Sequence, residues 1–181
     1  AGPFPPGYAW QVYQGALAIG QIELYVDDPG AGWDHTERAA ALMRSQHMMR
    51  FLPTRVEMLD LRARCALALA PRVGAARRRS LLRCVRRAAR AIAAEDAPWV
   101  APFATMLRAG LAAHAGRDAR AARAYADAAV GFDRLGMRMH AWAARHRATA
   151  LGAEAVPTDD WPALEGIVAP ERIARVYAPS P

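Results

Sequence analysis

Five histidines, two cysteines, three serines and two pairs of adjacent aspartates are the side chains here that could do chemistry. His35, His47, His114, His140 and His146 contain no His-Glu-x-x-His spacing, the pattern that puts two imidazoles and a carboxylate on one helix face around a metal. His140 and His146 stand six residues apart and so fall on different helix faces. Ser45 and Ser80 lack the Gly-x-Ser-x-Gly turn that would expose a nucleophilic hydroxyl. Asp27 with Asp28 and Asp159 with Asp160 border Pro or Trp-Pro, which is turn and helix-cap chemistry rather than paired acid–base catalysis. Cys65 and Cys84 are too few for a disulfide framework, fit no metal-ligand spacing, and read as small buried thiols of a reducing compartment. A Gly-rich phosphate loop, a His-Arg-Asp loop and an Asp-Phe-Gly triplet are all missing. The expectation is a non-enzyme with no metal and no cofactor.

The charged residues say more. All 24 basic residues are Arg, against 17 acidic ones, which gives a formal charge of +7 and a pI near 10.4. Arg72, Arg77, Arg78, Arg79, Arg83, Arg86, Arg87 and Arg90 crowd into one short stretch. Arg79, Arg83, Arg86 and Arg90 recur at steps of four, three and four, so they line one helix face opposite Leu81, Val85 and Ile92. That stripe would attract an acidic protein or peptide, a phosphorylated segment, or nucleic-acid phosphates. It carries neither a nucleic-acid recognition motif nor interleaved aromatics, which sets nucleic acid behind an acidic protein partner. The same spacing also describes a solvated outer face in a sequence that writes its cations as Arg.

The elements that must position these residues are helices. Ala supplies about a quarter of the chain, and Ala and Arg are the strongest helix formers. A 54% hydrophobic content excludes a disordered chain, and no apolar run reaches the roughly 18 residues of a membrane span. No charged-then-apolar opening suggests a secretory signal, so a cytoplasmic protein is expected. After a Pro-rich lead over residues 1–7, the 3.6-residue pattern predicts one domain over 8–178 with seven long helices and two short ones. The long helices are expected near 8–26, 33–49, 54–70, 75–95, 98–115, 118–135 and 137–151. The short ones are expected near 159–168 and 170–177. Asp27-Asp28-Pro29-Gly30 reads as a loop, and Thr54 with Glu57 as a capping box. In the first helix Tyr13, Leu17, Gly20 and Leu24 form one apolar face and Val12, Ala16 and Ile19 a second. Asp118 reads as the cap of the sixth, whose stripe is Ala121, Tyr125, Ala128, Phe132 and Leu135. Tyr125 should face Ala109 or Ala113 of the fifth helix, and Phe132 should meet Trp99 or Phe103.

Odd-numbered helices begin about 40 to 46 residues apart, the period of stacked helical hairpins. The expected architecture is therefore an all-α solenoid of antiparallel hairpins. On its concave side, the residues alternating with the core on odd-numbered helices would be Gln11, Gln14, Arg62, Arg108 and His140.

The segment 110–125 resembles the turn of a tetratricopeptide repeat, in which a Gly-Asp-type turn precedes a helix with small residues and an aromatic at fixed offsets, here Ala121, Tyr125 and Ala128. In order, the segments 21–27, 55–68, 99–113, 131–137 and 169–178 resemble the C-terminal tetratricopeptide-like region of large bacterial serine/threonine protein kinases and related signalling ATPases. That resemblance implies a sensor or interaction module, a protein or peptide partner, and catalysis held in a separate N-terminal kinase domain.

Overall fold

The computed structural model of the chain describes residues 9–153, 161–179 and 181. The Pro-rich lead, Tyr8, Asp159 and Asp160 lie outside the described residues. Among the described residues the regular structure is helical, without a strand. The helices are α1 (Ala9–Tyr25), α2 (Pro29–Ser45), α3 (Leu52–Leu69), α4 (Ala75–Ala93), α5 (Ala101–Ala113), α6 (Asp118–Arg134), α7 (Arg138–Ala150), α8 (Trp161–Leu164) and α9 (Pro170–Tyr177). Short 3-10 turns lead into α3 and α5 and follow α3. No described helix is long and apolar enough to cross a membrane.

Several helix ends differ from the sequence reading, each for a local reason. α2 starts at Pro29 rather than Trp33, because the Asp28 side chain accepts from the Ala31 amide at 3.0 Å and Pro29 supplies a preset first turn. Asp27 and Asp28 stay in the connection, and Pro29 and Gly30 belong to the helix. α3 starts at Leu52, with Phe51 in the N-cap position and no side-chain cap, so Thr54 is a buried helical residue and not an N-cap. Its expected capping-box partner Glu57 instead accepts the hydroxyl of Tyr13 from α1. Asp118 lies inside the first turn of α6, where a carboxylate favours the helix dipole, and not at the cap, which is Arg117. Gly116 and Gly136 end α5 and α6 with positive φ of 66° and 69°, conformations that suit glycine.

Three residues join α1 to α2 and α6 to α7, and four join α5 to α6; each pair packs together, so successive helices run antiparallel. Beyond these neighbours, α3 also packs on α1 and α5. Each crossing has a glycine at its closest approach. A Cβ on Gly20 would lie 2.8 Å from Leu61 Cδ2, and one on Gly110 would lie 2.7 Å from Leu67 Cδ1. The main core runs through α3 to α7, with Leu61, Val85, Leu107, Tyr125 and Phe132 almost fully buried. A smaller, Met-rich core of Tyr13, Met43, Met48 and Met58 joins α1 to α2 and α3. The second apolar face of α1 is only partly covered: Ala16 is buried, whereas Ile19 and Ile22 stay exposed.

The last helix does not simply extend the row. α9 packs on α7, α1 and α3 together. Arg64 of α3, buried and paired with Asp60 at 2.7 Å, donates to the Val176 carbonyl at 2.8 Å and lies over the Tyr177 ring. Arg147 of α7 donates to the Ala178 carbonyl at 2.7 Å. Two arginines thus satisfy carbonyls that the end of α9 would otherwise bury unpaired.

Candidate anion-binding site

α4 holds seven arginines and no carboxylate in nineteen residues. Its core side is unambiguous, since Leu81, Val85, Ala88, Ala89 and Ile92 are buried. Opposite them, Arg79, Arg83, Arg86 and Arg90 are exposed on one face, where the four-three-four spacing puts them. Arg77, Arg78 and Arg79 stand near the N-terminus of the helix. The helix dipole is positive there, so each cation costs roughly 0.3–1 kcal/mol instead of stabilising the end. Arg78 is tied to the neighbouring hairpin by its bond to the His114 carbonyl at 3.2 Å. Arg77, Arg79, Arg83, Arg86, Arg87 and Arg90 make no ion pair with any described residue. By contrast Arg55, Arg62, Arg64 and Arg72 of the preceding elements all hold carboxylates.

Beside this face lies a cleft of about 490 Å³ between α2 and α4, floored by α3. α2 contributes Trp33 and Glu37, and α3 contributes Leu59 and Arg62. From α4 come Arg77, Ser80, Arg83, Cys84 and Arg87, with Leu81, Ala88 and Ala91 below them. Arg62 is held in place: its Nε donates to Glu37 and its guanidinium lies 5.2 Å from the centre of the Trp33 ring. With Arg62 and Glu37 neutralising one another, Arg77, Arg83 and Arg87 leave the cleft with three uncompensated positive charges. Burial pushes the Cys84 thiol up, against the pull of Arg62 and Arg87, so it stays protonated at neutral pH.

The five residues expected on a concave surface do not converge. Gln11 and Gln14 on α1 and Arg108 on α5 are exposed. Arg62 lies in the α2–α4 cleft, whereas His140 lines a separate cavity of about 150 Å³ with Glu57, Asp60, Arg64 and Tyr177. On α3, Arg62 and the pair Asp60 and Arg64 point to opposite faces, so the two cavities lie on opposite sides of that helix. His140 packs among the rings of Phe103, Phe132 and Tyr177, and burial holds its imidazole down at about 3. It is a neutral packing residue at physiological pH. Cys65 is fully buried, with its thiol pushed up to about 12. Among the described residues no three His, Cys, Asp or Glu side chains group so as to hold a metal.

The basic cluster read from the sequence includes Arg77 and Arg87 but not on its Arg79-to-Arg90 stripe, and nothing in the sequence assigns Trp33 or Ser80 to the same site. Arg77, Ser80, Arg83 and Arg87 do carry a helical signal, at steps of three, three and four. The facing wall from α2 is set by tertiary packing and leaves no local trace. No protein-family model matches the chain, and neither does any curated protein or solved structure.

Proposed function

We propose that this chain is a non-catalytic interaction module, built of tetratricopeptide-like helical hairpins, that takes an acidic protein or peptide partner on the arginine face of α4. One observation carries the reading: six arginines of a single helix stand without a carboxylate among the described residues, three of them lining a cleft. Unpaired cations of one sign raise the local potential, steer an acidic partner and favour its docking over neutral surfaces. The hairpin reading is supported by the close glycine crossings of α1 on α3 and α3 on α5, which suit stacked odd-numbered helices. The kinase resemblance adds the setting, a cytoplasmic signalling protein whose catalytic domain is separate.

The test is a titration of the chain with a fluorescent Asp/Glu-rich peptide and with a duplex DNA of the same net charge. The expected result is peptide binding that weakens with salt and is lost in Arg79→Glu/Arg86→Glu/Arg90→Glu, with no ATP turnover by the chain. Duplex binding that falls steeply with salt, beside no peptide binding, would replace this function with a nucleic-acid-binding one.

A further inference from the structure

We infer that the α2–α4 cleft is a receptor for a phosphate monoester, a phosphoserine or phosphothreonine, carried on the acidic partner segment. The inference rests on the reading of α4 as the partner-facing helix and adds what that partner must carry. Four features of the cleft lead to it.

The first is charge. Arg77, Arg83 and Arg87 line the cleft without a carboxylate among the described residues, because Glu37 is committed to Arg62. One carboxylate would neutralise a single guanidinium and leave two cations facing each other. A phosphate monoester brings nearly two negative charges at neutral pH and three acceptor oxygens. The second is donor geometry. Along α4, Arg77 and Ser80, Ser80 and Arg83, and Arg83 and Arg87 are each three or four residues apart, so their side chains are neighbours on one ridge. They present guanidinium forks and a hydroxyl, the donor types that bind phosphate oxygens.

The third is size. A space of about 490 Å³ falls within the range of small-ligand sites and admits one modified side chain with its flanks, but not a helix or a duplex. The fourth is preorganisation. Arg62 is fixed by Glu37 and by Trp33, so the α2–α3 wall is set before any ligand arrives. The exposed Arg79, Arg86 and Arg90 beside the cleft then suit the acidic residues that flank the phosphate.

Cys84 provides a reporter within the site, since it lines the cleft while Cys65 is fully buried. An acidic peptide with one central phosphoserine would be titrated into the chain, alongside its serine form, its glutamate form and free phosphoserine. Alkylation of Cys84 by iodoacetamide would be followed in parallel. The expected result is that the phosphopeptide binds about tenfold or more tighter than the serine and glutamate forms. It should slow Cys84 alkylation, and Arg87→Gln should remove that advantage. Arg79→Gln, outside the cleft, should keep the preference for phosphate. Equal binding of the phosphoserine and glutamate forms would overturn the inference while leaving the acidic-partner reading intact. Binding of none of the peptides would overturn both. Free phosphoserine that bound as tightly as the phosphopeptide would also overturn it, by making the ligand a small molecule. Circular dichroism of each variant separates loss of binding from loss of fold.

Discussion

Phe132 of α6 meets Phe103 of α5 edge to face, with ring centroids 5.1 Å apart and planes at 88°. That contact ties the end of one helix to the start of its antiparallel neighbour, and Trp99 continues the cluster from Phe103 at 6.1 Å. Phe132 is completely buried. Truncating it to Ala removes the ring from a packed core and leaves a cavity beside Phe103 and His140. Phe132→Ala should cost about 3–5 kcal/mol. Urea unfolding would check this, and a loss below about 1 kcal/mol would mean that the α5–α6 register is wrong.

The Gly110 crossing makes a second, opposite kind of prediction. A methyl group on Gly110 would meet Leu67 Cδ1 at 2.7 Å inside the α3–α5 contact. Gly110→Ala should destabilise by about 1–3 kcal/mol through overpacking, despite the better helix propensity of Ala. Leu67→Ala alone leaves a cavity. The double variant should therefore cost less than the sum of the two single ones, because the new methyl occupies part of the space that leucine vacates. Strict additivity in urea melts would deny the contact.

The periodicity of the sequence identified the helices and their buried faces where alternatives were few. In α6 the stripe Ala121, Tyr125, Ala128 and Phe132 is buried as expected, and only Leu135 at its end escapes to the surface. Helix starts were less legible, because Asp27-Asp28-Pro29-Gly30 has the composition of a loop and the geometry of a cap followed by a first turn. Thr54 and Glu57 fit a capping box by spacing, yet Tyr13 claims Glu57 from a helix more than forty residues away. The exposed arginine face of α4 followed from its own helical period. The cleft did not, since Trp33 and Glu37 reach it only through the packing of α2 on α3.

Acid should loosen the molecule through its buried and half-buried histidines. His140 has an ordinary value of 6.5 and is held at about 3 by burial and by the charge of Arg64, in a cavity that Glu57 and Asp60 also line. The unfolded chain binds the proton between these values and the folded one does not. The stability from keeping His140 neutral is therefore complete above 6.5 and is lost as pH falls from 6.5 towards 3. Its contribution to the slope approaches about 1.4 kcal/mol per pH unit in that window. His35, His114 and His146 are shifted down as well and add in the same direction. His140→Phe, which keeps an aromatic ring among Phe103, Phe132 and Tyr177, should flatten the pH dependence by one proton's share. Unchanged curvature in stability measured from pH 7 to 4 would place His140 in solvent.

Arginines of this chain divide into two kinds, and one pair of variants separates them. Arg64 is buried, holds the buried carboxylate of Asp60, and satisfies the Val176 carbonyl at the end of α9. Arg64→Met keeps much of the volume but leaves Asp60 and that carbonyl without their donor, and should cost about 3–5 kcal/mol. Burial already pushes the Asp60 carboxyl up, so the stranded acid will take a proton and recover part of the loss at low pH. Removing both charges, in Arg64→Met/Asp60→Leu, should restore a further part at neutral pH, because no ionised group then remains buried. Arg83 is exposed and unpaired among the described residues, so Arg83→Ala should change stability by less than about 0.5 kcal/mol. Thermal unfolding of the three variants decides the matter. If Arg83→Ala unfolded the protein while Arg64→Met were neutral, the arginines of α4 would be structural, and α9 would be docked by something other than Arg64.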